Sequence, residues 1–180
     1  EHRALPDAGD SFALRFAAEK GHTDVVKLLL DDNRKHRALP DEEDSYALRW
    51  AAKYGYSEVV KLLLDDRREH RALPDAFNSS ALRLAAENGH TDMGKLLLDD
   101  NRAHRALPDA KDSVALKAAA KNGHTNVVKL LLDDNRAHRA LPDANSSMAL
   151  RWAVANGHTD MVKLLLDDKR EHRADPSLIE

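Results

Sequence analysis

Two kinds of apolar segment, each with the spacing of a helix, follow one another along the chain. Small apolar residues recur at helical spacing from 13 to 18, and a strongly apolar group runs from 25 to 30. The stretch before the first group is polar and rich in turn formers. The pattern predicts a first, alanine-faced helix that begins near Phe12 and a second helix that ends near Asp32.

Polar and glycine residues mark where these helices start and stop. Asp10 or Ser11 is suited to accept hydrogen bonds from the first free amides of the first helix. Gly21 supplies the left-handed residue that commonly ends a helix, and Thr23 offers an N-cap for the second one. The predicted unit is a helix, a tight turn, a second helix and a long loop, in which Leu39 is expected to reach the core.

The whole pattern recurs with a period of thirty-four residues. The tripeptide Ala-Leu-Pro begins at Ala4, Ala38, Ala72, Ala106 and Ala140. We therefore divide residues 1–180, taken as one domain, into repeats 4–37, 38–71, 72–105, 106–139 and 140–173 and a tail, 174–180. One such unit cannot bury its own apolar face, so stability has to come from stacking between neighbours. The sequence predicts an all-α solenoid of five stacked helix-turn-helix repeats with long connecting loops, and a bare N-terminal face.

Composition narrows the class of partner. Charged residues make up 33% of the chain, and the 28 basic and 31 acidic residues are mixed along it. This mixture argues against nucleic acid or an anionic membrane as the partner. No apolar run approaches the roughly 20 residues that a membrane span requires.

Histidine is frequent, and its periodicity explains its positions. The ten histidines fall into a turn set and a loop set: His22, His90, His124 and His158, then His2, His36, His70, His104, His138 and His172. Stacked repeats lie about 10 Å apart, whereas metal ligands lie about 2 Å from a shared ion. We therefore expect structural hydrogen bonds rather than a metal site, and no cofactor.

Acidic pairs also recur at the end of each second helix, as in Asp31 and Asp32. A catalytic pair of carboxylates needs two different environments in one pocket, which five equivalent pairs do not provide. The sequence also lacks a glycine-rich phosphate loop, a nucleophile elbow and an H-E-x-x-H string. We expect a protein that is not an enzyme.

The segment 81–92, Ala-Leu-Arg-Leu-Ala-Ala-Glu-Asn-Gly-His-Thr-Asp, followed by Lys-Leu-Leu-Leu at 95–98, resembles the ankyrin repeat, and the match recurs in every copy. Two departures stand out. Sequences such as Phe-Ala-Leu-Arg at 12–15 replace the family's T-P-L-H entry, and its G-A-D-x-N loop is missing. A regular β-hairpin is therefore expected to be weakened or absent. This divergent form looks like the arrays of some bacteria and giant viruses, or like a consensus-engineered array.

The resemblance implies a concave face, lined by first helices and loops, that grips a protein partner, and it favours an intracellular location. Positions that vary between copies are the candidates for that face, because shared positions build the scaffold. They lie along the first helix and just before it, and aromatic residues of this kind are common interface anchors. The predicted partner-binding residues are Phe12, Phe16, Tyr46, Trp50, Tyr54, Phe77, Leu84, Lys111, Met148 and Trp152.

Three alternatives stay open. Phe16, Trp50 and Trp152 could instead pack between adjacent repeats. The N-terminal face could join another copy of the chain in a self-associating array. Small residues at Ser80, Gly94 and Ala118 could form a shallow pit for a small ligand in the groove.

Overall fold

The computed structural model describes residues 8–31, 38–66, 71–99, 105–133, 140–167 and 174–179. Regular structure in these ranges is entirely helical, in agreement with the predicted all-α class. The helices are α1 (Ala8–Glu19), α2 (Thr23–Asp31), α3 (Glu42–Tyr54), α4 (Ser57–Asp65), α5 (Ala76–Glu87), α6 (Thr91–Leu98), α7 (Ala110–Lys121), α8 (Thr125–Asp133), α9 (Ala144–Ala155) and α10 (Thr159–Leu166), followed by a short 3-10 helix, Pro176–Ile179. The loop histidines and most residues of the predicted loops lie outside the described ranges.

The helices stack in two rows. The odd-numbered helices contact one another in succession, the even-numbered helices do the same, and the two helices of a repeat pack together. One leucine of each first helix is fully buried, at Leu14, Leu48, Leu82, Leu116 and Leu150. Alanines beside it are buried as well, and their small side chains let the helices of the odd row approach closely. The stacked helix-turn-helix architecture predicted from the sequence is confirmed.

Each first helix begins earlier than predicted, because a left-handed turn precedes its right-handed part. In α3 the residues Glu43, Asp44 and Ser45 have φ values of 47°, 55° and 58°. The same three positions have positive φ in α5, α7 and α9. Since an L-residue in this conformation costs about 1–2 kcal/mol, the turn needs compensating interactions from the rest of the fold.

The last residue of this turn is a buried serine that bonds to the next repeat. Its Oγ accepts a hydrogen bond from a backbone N–H twenty-eight residues later: Ser11 from Leu39, Ser45 from Leu73, Ser79 from Leu107, Ser113 from Leu141 and Ser147 from Asp175. Of the two residues predicted to accept hydrogen bonds from the first helix, Asp10 or Ser11, the serine therefore bonds to the next repeat. Its hydroxyl joins two repeats, because the left-handed turn places it against the entry of the following one.

The core position predicted for Leu39 is also wrong. Leu39 is half-buried, while its neighbours Ala38 and Pro40 are buried. The Leu39 N–H donates to Ser11. In the segment 38–40, Ala38 and Pro40 therefore lie in the core, and Leu39 lies at its edge.

The turn between the two helices explains both the glycine and the histidine periodicity. Gly89 has a φ of +76°, as predicted for a residue that ends a helix, and the ring of His124 covers it closely. The Nε2 of His124 lies 3.0 Å from the carbonyl oxygen of Glu87 in the preceding repeat, to which a protonated Nε2 donates. His90 and His158 make the equivalent bonds. Histidine at these positions therefore has the structural role expected for it.

The N-cap predicted on threonine is displaced by one residue. In α6 and α10 the capping position belongs to His90 and His158, without a side-chain cap hydrogen bond, and Thr91 and Thr159 are already helical. The same start is found in α4, where Tyr56 replaces the histidine, because the residue after it, Ser57 or a threonine, donates its N–H to the carbonyl oxygen of the turn glycine.

Gly94 offers a test of how the repeats fit together. It occupies α6 where the other copies have valine, and a Cβ built there would lie 2.8 Å from the Cδ2 of Leu130. Leu130 can move aside, because this methyl is the end of a flexible side chain. We expect Gly94→Ala to raise the free energy of unfolding by about 0.5–1 kcal/mol through helix propensity, measured by urea denaturation. A decrease would show that Leu130 cannot adjust.

No helix in the described ranges combines the length and the apolar character needed to cross a membrane.

Candidate functional site

The predicted partner-binding residues differ in how far they reach solvent. Phe12, Phe16, Tyr54 and Phe77 are exposed, with 58%, 48%, 44% and 56% of their surface accessible. Lys111 is also exposed, whereas Tyr46, Trp50, Leu84, Met148 and Trp152 are half-buried. The half-buried rings can thus serve both the packing between repeats and an external contact.

Aromatic rings of the second repeat form one continuous cluster, which we call the aromatic cluster: Tyr46, Trp50, Tyr54 and Tyr56. Ring centroids of successive members lie 5.5, 5.8 and 6.0 Å apart, within the usual range for interacting rings. The first three members stand one helical turn apart on α3, and Tyr56 follows Gly55 in the turn. In the first repeat, the rings of Phe12 and Phe16 are stacked nearly parallel, with centroids 5.9 Å apart.

Basic side chains lie over these rings. The Nζ of Lys53 is 4.1 Å from the Trp50 ring centroid and 5.2 Å from that of Tyr54. The guanidinium of Arg15 lies 4.6 Å from the Tyr46 ring centroid, and that of Arg49 lies 5.7 Å from it. The site is therefore a set of alternating rings and cations rather than a bare apolar patch.

The same arrangement continues beyond the second repeat. Phe77, in the left-handed turn of α5, lies between Arg49 and Lys111, at 5.3 and 5.6 Å. Farther along, Lys121 lies 4.7 Å from the ring centroid of Trp152. Every repeat thus contributes a ring, a cation or both to the row of first helices: the third and fifth repeats contribute rings to these contacts, and the fourth contributes cations.

One acidic residue, Glu19, is built into the edge of the aromatic cluster. The Nζ of Lys20 donates to its Oε1 at 3.0 Å, and the hydroxyl of Tyr46 donates to its Oε2 at 3.3 Å. The hydrogen bond from Lys20 lowers the pKa of Glu19, and Lys53 lowers it further. Burial, together with Glu19, raises the pKa of Tyr46. Glu19 therefore stays ionised and Tyr46 keeps its proton at neutral pH.

The small-residue pit predicted around Gly94 is wrong. Leu130 occupies the space beside Gly94, and Ser80 is itself buried. Open concavities lie instead at the turns between helices, for example beside Gly89 and His124. The mistake arose because the sequence does not show which side chain of the next repeat faces a small residue.

Of the basic residues over the rings, Lys111 was predicted from the sequence, whereas Arg15, Arg49, Lys53 and Lys121 were missed. Lys53 and Lys121 stand at a position that differs between copies. For Arg15 and Arg49 the signal is a basic residue four positions after the left-handed serine in every repeat: Arg15, Arg49, Arg83, Lys117 and Arg151. Arg15 also pairs with Glu43 of the next repeat, with its Nη1 at 2.6 Å from Oε1.

Within the described ranges, histidine, aspartate and glutamate residues form no group that could hold a metal ion. The chemistry that the described site offers is recognition by ring faces, cations and a few carboxylates.

Comparison with known families agrees with this architecture. A family model described as ankyrin repeats (3 copies) matches residues 4–75 and 82–178. Among curated proteins, the search found no match. Ankyrin repeats are generally protein–protein interaction modules. With most of its length matched by the model, the chain belongs to the ankyrin repeat family.

Proposed function

We propose that this chain is a binding scaffold that holds a protein partner against its row of first helices. The partner contacts Phe12, Phe16, Tyr46, Trp50, Tyr54 and Phe77 in the first half of the array, and Leu84, Lys111, Met148 and Trp152 farther along it. The concave face implied by the family resemblance is this same row. The chain has no catalytic role in this proposal.

The observation that carries the proposal is the exposure of aromatic side chains that the fold does not need to expose. The core is made by leucine, alanine and valine, while Phe12, Phe16, Tyr54 and Phe77 stay accessible. Large exposed aromatic residues next to cations are typical interface anchors. Holding their rings against each other and against basic side chains reduces the side-chain entropy lost on binding.

Photocrosslinking from the aromatic cluster tests the proposal. With Tyr54→p-benzoylphenylalanine, we expect irradiation in a native lysate of the source organism to give a discrete product containing a second protein. Adding Trp50→Ala should reduce that product at least fivefold, because the half-buried Trp50 ring lies beside the probe, 5.8 Å from Tyr54. The thermal midpoint should change by only a few degrees.

A matched probe at Lys129 controls for chance collisions, since Lys129 is exposed but lies on the second helix α8. Equal products from the Tyr54 and Lys129 probes would contradict the proposed face. So would a Tyr54 product that Trp50→Ala leaves unchanged.

Self-association is the second candidate, and a specific difference between repeats favours it. Val25 and Leu28 are exposed in the first repeat, at 45% and 72%, whereas their equivalents Val59 and Leu62 are buried or half-buried against a neighbouring repeat. In a self-associating array, a repeat of another copy of the chain packs against these two side chains. A probe at Leu28 in the purified chain would then give a product of twice the chain's 20.1 kDa mass, and its absence would contradict self-association.

A further inference from the structure

We propose that the partner segment is an acidic peptide, bound in an extended conformation, with an apolar or aromatic anchor at the aromatic cluster and carboxylates directed toward the fourth and fifth repeats. This inference rests on the proposed function and adds the chemistry of the partner.

The two rows of helices differ in net charge, although the whole chain carries −3. With their left-handed turns, the first helices span 8–20, 42–54, 76–88, 110–122 and 144–156 and contain nine basic and seven acidic residues, with five of the acidic ones in the first two repeats. The second helices contain five basic and seven acidic residues. A net positive row on a net negative protein attracts an acidic segment to that row in particular.

The two halves of the row of first helices differ in how far acidic residues offset the basic ones. In the first half, Glu19 and Glu43 offset part of the positive charge through contacts with Lys20 and Arg15. With their turns, the segments 110–122 and 144–156 contain one acidic residue, Asp112, and four basic ones, Lys111, Lys117, Lys121 and Arg151. Lys121 and Arg151 are exposed. Aromatic anchoring therefore belongs to the first half of the row, and carboxylate binding to the second.

The spacing of these regions sets the length of the segment. Trp50 and Trp152 occupy equivalent positions three repeats apart. At about 10 Å per repeat, the distance is about 30 Å, which about nine residues of extended chain span. Carboxylates at the far end of such a segment reach Lys121 and Arg151 while its anchor lies against Trp50.

The contacts of the rings favour a peptide over a nucleic acid. Bases bind by stacking on aromatic faces, but Lys53 lies over Trp50, Lys121 over Trp152, and Arg49 and Lys111 over Phe77. A base would have to displace these cations. A carboxylate can approach the same cations from solvent without disturbing the ring contacts.

Selection from a phage-displayed library of random dodecapeptides tests this chemistry directly on the purified chain. On the unmodified chain we expect aspartate and glutamate to be enriched at least threefold in the selected peptides. When the double variant Lys117→Glu/Lys121→Glu is the target, the enrichment of aspartate and glutamate should disappear. Synthetic copies of the peptides selected on the unmodified chain should bind this variant at least tenfold more weakly. On the control Lys129→Glu/Lys163→Glu, which makes the same charge change at exposed positions of α8 and α10, both should be retained.

The outcomes separate the two proposals. Selection of neutral peptides that lose binding with Trp50→Ala/Tyr54→Ala would overturn the acidic segment and leave the proposed face intact. Failure to select any peptide would overturn the acidic segment, whereas the proposed face is contradicted only by the crosslinking outcomes given for it. Equal loss of binding in the two charge-reversed variants, or tighter binding of a twenty-nucleotide single-stranded RNA than of the selected peptides, would also overturn the acidic segment.

Discussion

Leu131→Ala is expected to lower the free energy of unfolding by about 3 kcal/mol, because truncating a buried leucine loses its burial and leaves a cavity. The Leu131 side chain is fully buried on α8. That helix contacts α6 and α10 as well as its partner α7, so the cavity weakens contacts between repeats on both sides. Urea denaturation followed by circular dichroism measures the loss.

Leu28→Ala is the matched control for this prediction. It removes the same atoms from a second helix, but 72% of Leu28 is already exposed. We expect a loss below about 1 kcal/mol, since little apolar surface returns to water. Similar losses in the two variants would mean that stability does not arise from burial between repeats.

Ser79→Ala is expected to lower the free energy of unfolding by about 2 kcal/mol, because it leaves the partly buried amide of Leu107 without its acceptor. The Oγ of Ser79 accepts the N–H of Leu107 at 2.8 Å, and Ser79 is buried. This bond also holds Ser79 at a φ of 56°, which is unfavourable for a residue with a side chain. Losing it should also speed amide hydrogen exchange at Leu107, which mass spectrometry detects.

Ser146→Ala provides the comparison within the same kind of turn. Ser146 has the same φ of 56°, but its side chain is exposed. We expect a change in unfolding free energy of less than about 0.5 kcal/mol. If the two serine variants lost the same stability, the turn itself rather than the bond between repeats would account for the effect.

The candidate site was predictable only in part. Phe12, Phe16 and the members of the aromatic cluster stand out in the sequence because otherwise similar copies differ at these positions. Arg15 and Arg49 did not stand out, since a basic residue in every copy looks like part of the scaffold. Their role follows from packing: Arg15 reaches the ring of Tyr46 in the next repeat, and the distance along the chain between the two residues hides that contact.

Gly94 is a second residue whose surroundings could not be predicted from the sequence. A glycine among valines suggests empty space when the copies are compared as sequences. In the structure Leu130 fills that space. A neighbouring repeat can compensate for a lost side chain, and only its actual position reveals whether it does.

The sequence by itself determined the period of the array, the two helices of each repeat and the glycine turn between them. These features depend on residues within a few positions of one another, such as the apolar spacing along a helix and the left-handed glycine that ends it. The tertiary structure decided the left-handed turn before each first helix, the partner of its serine and the cations over the rings. Each of these depends on contacts with another repeat, such as the bond from Leu107 to Ser79, so the conformation is stable only when the neighbour is in place.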